Sequence, residues 1–198
     1  MSVKTTTGSS LFARNMKEHS YNEVWREIAG LLKHNTGASI LIVNCGVGYF
    51  VKYLLDKGFS NVFGIDTHLE LIQKGIELCP ELAEKIVAAN FFRLSKADQA
   101  CYDIYVFLKT LEYQENGDRF LEAVPIGARI IAAYPNYDDG LVLKSFSSKA
   151  DLTEYAEPFM RSTFVHSVSL FKNAEFMIDQ AVLLVVGERR PQFRPGSV

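Results

Sequence analysis

The chain has 198 residues, 48% of them hydrophobic and 22% charged, with a net charge of −2. This is ordinary globular composition, long enough for one sizeable core. The charge balance gives no electrostatic reason to bind nucleic acid or an anionic membrane, and no apolar run approaches the ~18 residues of a membrane span. Cys45, Cys79 and Cys101, with His19, His34, His68 and His166, show no metal-ligand spacing, so no metal is expected. A sparse, odd cysteine count fits a reducing, cytoplasmic setting.

The opening "MSVKTTTGSSLFAR" has no long apolar core and no cleavage-like site. Residues 1–19 therefore read as a flexible polar arm rather than a signal peptide. In "SYNEVWREIAGLLKH", Ser20 and Glu23 fit a capping box, and Tyr21, Val24, Trp25, Ile28, Leu31 and Leu32 recur at helical spacing. "ASILIVN" is apolar throughout, as a strand buried on both faces should be. A glycine turn and the short helix "YFVKYLLDKG" follow, with Gly58 as its stop. "NVFGID" predicts a second strand, and Thr67 with Glu70 predicts a capping box for "HLELIQKGIELC", which Pro80 ends. "EKIVAAN", "YDIYVFLK" and "GARIIAAYPN" predict strands three to five, with the helix "GDRFLEAV" before the last. That alternation is a parallel, doubly wound sheet. After a short helix in "KADLTEYAEPFM", "STFVHSVSLFKN" and "EFMIDQAVLLVVGER" predict two long strands turning near Asn173. One folded domain is expected over 20–190, with 191–198 as a solvated basic tail.

The turn in "ASILIVNCGVGYF" carries the chemistry. Gly46 and Gly48 let backbone N–H groups approach a ligand. Asn44 precedes them, and asparagine tolerates a left-handed backbone best after glycine. Asp66, 18 residues after Gly48, ends the second strand and can accept hydrogen bonds from two ribose hydroxyls. The third glycine of a dinucleotide fingerprint falls at Val51, where a β-branched side chain is expected to hinder close helix–strand packing. No lysine–serine/threonine pair completes a triphosphate loop. The pattern suits adenosine without phosphates.

In order and spacing, "ILIVNCGVG", "VFGIDTHLELIQKGIEL", "AAN" at 88–90, "YDIYVFLKTLEYQEN" and "GARIIAAYPNYDD" resemble the motifs of class I S-adenosylmethionine-dependent methyltransferases. The resemblance runs from about Tyr21 to Arg190. It implies a Rossmann-like, doubly wound, mostly parallel seven-stranded sheet ending in an antiparallel β-hairpin, a methyltransferase-like domain over 20–190, and S-adenosyl-L-methionine as cofactor. The residues it implies for cofactor binding are Tyr21, Asn44, Cys45, Gly46, Gly48, Asp66, Thr67, Asn90, Phe91, Leu108 and Lys109. Ile42 stands where the family has an acid, Asn44 where it has a first glycine, and Tyr113 where a histidine often follows the fourth motif.

Methyl transfer from a sulfonium needs mainly an acceptor held in line with the sulfur–methyl bond. A base helps when the acceptor must lose a proton. Glu112 and Tyr137 are the catalytic candidates, Glu112 as base or acceptor-orienting group and Tyr137, with Asn136, as an acceptor contact. His166 reads as a strand histidine, and Cys45 as a backbone element of the turn, since nothing nearby favours its thiolate. The expected function is methyl transfer to a small-molecule acceptor, without nucleic acid or membrane, and compatible with a homodimer. The alternatives are non-methyl chemistry on the same cofactor (cyclisation or elimination), a non-catalytic binding subunit and, least of all, a nicotinamide-dependent reductase.

Overall fold

The computed structural model describes residues 12–16, 22–108, 117–135, 145–146, 148–173 and 178–191. Two compact units divide at Leu94 and Ser95.

In the first unit, a helical turn α1 over residues 12–16 carries Phe12, which is buried with its ring 4.6 Å from that of Tyr49. Helix α2, Asn22–Leu32, buries Val24, Trp25, Ile28 and Leu32, the apolar stripe read from the sequence. Trp25 stacks on Phe50 at 5.7 Å. Strand β1, Ile40–Val43, is buried at all four positions. It pairs in parallel with β2, Val62–Asp66, which pairs in parallel with β3, Ile86–Ala88. Helix α3, Tyr49–Asp56, follows β1, and Gly58 at φ 89° donates its N–H to Leu55 as the chain leaves the helix. Helix α4, Leu69–Leu78, follows β2, and Pro80 begins a single 3-10 turn after it.

In the second unit, helix α5, Lys96–Ala100, is capped by Ser95, whose Oγ accepts from the Asp98 N–H. Strand β4, Ile104–Phe107, pairs in parallel with β5, Arg129–Pro135, and helix α6, Gly117–Ala123, lies between them in sequence. Helix α7, Lys149–Ala156, leads to β6, Met160–Asn173, and β7, Ile178–Arg189. β7 runs antiparallel to both β5 and β6. The strand order is β3-β2-β1 in the first unit and β4-β5-β7-β6 in the second. The parallel βα units and the closing antiparallel pair are those expected from the sequence.

Three expectations change. The capping box at Thr67 and Glu70 does not form. His68 is the residue before α4, no side chain caps it, and its N–H is taken by Asp66 Oδ1 at 2.9 Å. Helix α5 was not expected, because it buries nothing and so has no apolar stripe to read. Val51 does not hold its helix away from the sheet. A Cβ added to Gly64 in β2 would stand 2.8 Å from Val51 Cγ2, so the missing side chain is on the strand instead of the helix. The close approach survives with glycine and valine exchanged between the two elements. The capping box expected at Ser20, and Tyr21, lie outside the described residues.

Candidate functional site

The site is built where β1 and β2 end. Asn44 adopts φ 57°, the one positive-φ residue other than glycine among the described residues, so the left-handed conformation expected of it is present. Gly46 and Gly48 follow at φ 56° and 82°. The Cys45 N–H donates to the Ile65 carbonyl at 2.9 Å, tying the turn to β2. The Gly48 N–H donates to the Cys45 carbonyl at 3.0 Å and closes the turn.

The two glycines do different jobs. A Cβ on Gly48 would meet Leu82 Cδ1 at 2.9 Å and Ile86 Cδ1 at 3.2 Å, so Gly48 lets the core close beneath the turn. A Cβ on Gly46 would meet nothing within 4 Å, so Gly46 leaves open space above it. Gly75 in α4 is a third contributor that sequence reasoning missed. A Cβ there would stand 2.4 Å from the Val47 carbonyl oxygen. A glycine inside a helical pattern, like one inside the strand "VFGID", was the signal available for such close approaches.

Asp66 is 4% exposed and locks the turn. Its Oδ2 accepts the Gly46 N–H at 2.8 Å, and its Oδ1 accepts the His68 N–H at 2.9 Å. His68 Nδ1 also lies 2.9 Å from Oδ1, while that side chain is 68% exposed. Three of the roughly four acceptor directions of a carboxylate are thus engaged. Cys45 sits beside it, and burial, then the charge of Asp66, pushes its thiol up to about 12. That thiol stays protonated at neutral pH, as the backbone role requires.

The remaining residues divide. Thr67 is exposed, its Oγ1 3.4 Å from His68 Nδ1. Asn90 is exposed at the end of β3, where its Oδ1 accepts the Phe92 N–H at 2.9 Å. Phe91 is 2% exposed and belongs to the core, whereas Phe92 is 41% exposed and presents its ring to solvent. Ile42 is 2% exposed in β1, opposite Gly64, and is core. Leu108, in the second unit, is buried just past β4. Tyr21, Lys109, Glu112, Tyr113, Asn136 and Tyr137 lie outside the described residues. Among the described residues no group of three histidine, cysteine or acidic side chains is placed to hold a metal ion, and no helix is long and apolar enough to cross a membrane.

Residues 41–125 match the sequence profile of a methyltransferase domain. Over that stretch the chain is similar to the methyltransferase domain family. No curated protein sequence is significantly similar to it. Among solved structures, the Burkholderia thailandensis 1,6-didemethyltoxoflavin-N1-methyltransferase, with its substrate and S-adenosylhomocysteine, superposes at a TM-score of 0.64 with 16% identity over 92% of this chain and 87% of that one. The magnesium protoporphyrin IX methyltransferase of Synechocystis PCC 6803, bound to S-adenosylmethionine, gives 0.59 with 13% identity over 94% and 99%. The [4+2]-cyclase SpnF gives 0.60 with 13% identity over 84% and 82%. At such identities the shared property is the fold, Rossmann-like, with mostly parallel strands and an antiparallel β6–β7 pair.

Proposed function

We propose that this chain binds S-adenosylmethionine at the turn between β1 and α3 and passes the methyl group in line to a small-molecule acceptor. The observation that carries the reading is the bond from the Gly46 N–H to Asp66 Oδ2 (2.8 Å), beneath the open space above Gly46. It holds a side-chain-free backbone and a buried carboxylate together at the C-terminal ends of parallel strands, where open α/β sheets bind ligands. The remaining acceptor direction of Asp66 suits a ribose hydroxyl. Asn90, its oxygen spent on Phe92, keeps an amide NH2 to donate to the base. The cofactor supplies an electrophilic methyl group and leaves as the neutral thioether. The protein's share is to fix the adenosine, exclude water and orient the acceptor. Glu112 is proposed to take the acceptor's proton where it has one, and Tyr137 to contact the acceptor.

The absence of a strongly basic composition supports a small molecule over nucleic acid as acceptor. Calorimetric titration tests the reading. S-adenosylmethionine and S-adenosylhomocysteine should bind in the micromolar range and NADH much more weakly. No saturable heat from either sulfur ligand would favour the non-catalytic binding subunit. A second reading, non-methyl chemistry on the same scaffold, draws on the likeness to a [4+2]-cyclase and on buried Ile42, which leaves the methionine end without its usual acid. Mass spectrometry of a turnover mixture separates the two. Methyl transfer gives S-adenosylhomocysteine and a methylated acceptor in equal amounts, whereas cyclisation gives a product without the methyl group.

A further inference from the structure

We propose that the first unit carries a second ligand site, for a small organic anion with an aromatic or apolar body, at the end of α3 remote from the glycine turn. A cavity of about 360 Å³ opens there between α2 and α3, within the size range of small-molecule sites. Three cations line it, Arg26, Lys33 and Lys57, and no carboxylate does. Arg26 is paired with Glu23 at 2.6 Å. Lys33 and Lys57 make no ion pair among the described residues, and Lys57 Nζ lies over the Tyr53 ring, 5.5 Å from its centroid. Tyr53 and Phe59 supply aromatic wall, Phe59 being 3% exposed. Tyr53, the α3 residue lining the cavity nearest the turn, stands five residues past Gly48, about 7.5 Å along the helix.

Gly30 is the independent observation. It lies inside α2 and lines the cavity. Glycine in a helix interior costs about 1 kcal/mol relative to alanine, and that cost normally has a packing reason. Here a Cβ would meet nothing within 4 Å. No neighbour in the protein requires the missing side chain, and Gly30, exposed in the last turn of α2, is part of the cavity's lining. Lys33 and Lys57 at the C-terminal ends of α2 and α3 also complement the helix dipoles, but that role does not explain Gly30.

Anilinonaphthalene sulfonate is the probe, read by fluorescence, beside its neutral relative N-phenylnaphthylamine. The wild type should bind the sulfonate saturably and at least about tenfold more tightly than the neutral dye. Saturating S-adenosylhomocysteine should leave the titration unchanged, which separates this site from the cofactor turn. Gly30→Ala should melt higher than wild type yet bind the dye more weakly, and Gly30→Leu should abolish binding while the protein stays folded. The pair Lys33→Gln and Lys57→Gln should weaken the sulfonate and leave the neutral dye untouched. Wild-type titrations in Gly30→Leu, displacement by S-adenosylhomocysteine, equal affinity for the two dyes, or no saturable binding would each overturn the proposal.

Discussion

Each unit buries one charged side chain among the described residues, Asp66 in the first and Arg189 in the second. Both end a strand and both bond mainly to backbone, although the buried Arg189 Nε has no partner among the described residues. Asp66 ends β2 and accepts from N–H groups of Gly46 and His68. Arg189 ends β7, level with the start of β5, and donates to the carbonyls of Phe159 and Glu122, each at 3.3 Å, and to that of Arg190. Burial lowers the pKa of its guanidinium, and the charge of Glu122 acts in the opposite sense. The same device therefore serves two ends. The acid organises donors where strands finish and ligands bind. The arginine joins the carbonyl of Glu122, near the end of α6, to that of Phe159, just before β6.

Burying a third charge without backbone donors is the hardest test of that comparison. Ile42→Asp places a carboxylate one strand from Asp66, at a position 2% exposed and facing Gly64, where β1 backbone N–H groups already serve the sheet. The expected loss is about 3–5 kcal/mol, the cost of an uncompensated buried charge, seen as a much lower melting temperature. Unchanged melting with tighter S-adenosylmethionine binding would show that Ile42 faces the methionine end after all.

Removing the two native charges separates their roles. Asp66→Ala strands the Gly46 N–H, and about 1.5–3 kcal/mol should go from both stability and cofactor affinity. Asp66→Asn, which keeps one acceptor oxygen, should recover part of each. Full affinity in the alanine variant, measured calorimetrically, would place the ribose elsewhere. Arg189→Lys should cost stability alone, about 1–2 kcal/mol, because a point charge cannot reach three carbonyls as a planar fork does. A change in cofactor affinity with Arg189→Lys would remove the contrast between the two ends.

How much of this was legible follows the same division. Periodicity showed the strands and the α2 stripe, because burial on one face leaves a pattern in the residues themselves. Asn44, Gly46 and Gly48 were legible as a turn because a positive φ restricts residue type. The lock between Asp66 and Gly46 was not. It joins residues 20 apart in sequence, and nothing local distinguishes a carboxylate awaiting a ligand from one already bonded. The Thr67–Glu70 box failed for a local reason. The motif was present, but the helix begins one residue later than it implies, with His68 and not Thr67 at the cap position. The exchange of small and β-branched residues between Val51 and Gly64 was hidden because a fingerprint reads one element, while packing is a property of two. Helix α5 left no trace because it buries nothing.

The smallest expected effect is at Asn44, and it tests whether the departure from the family's first glycine matters. At φ 57° a non-glycine residue is costly by about 1–2 kcal/mol, and asparagine escapes part of that through local hydrogen bonding. Asn44→Val combines the left-handed penalty with β-branching, so it should lose at least about 1–2 kcal/mol. Asn44→Gly removes the strain but adds unfolded-state entropy, two terms of similar size and opposite sign. Its melting temperature should therefore stay near that of the wild type, and its cofactor affinity should be equal or better, since the turn already has the required backbone. Melting scans with and without S-adenosylhomocysteine decide the point. If Asn44→Gly were stable but bound the ligand more weakly, the asparagine side chain itself would be a ligand contact, and the departure would mark a change in the site rather than a tolerated substitution.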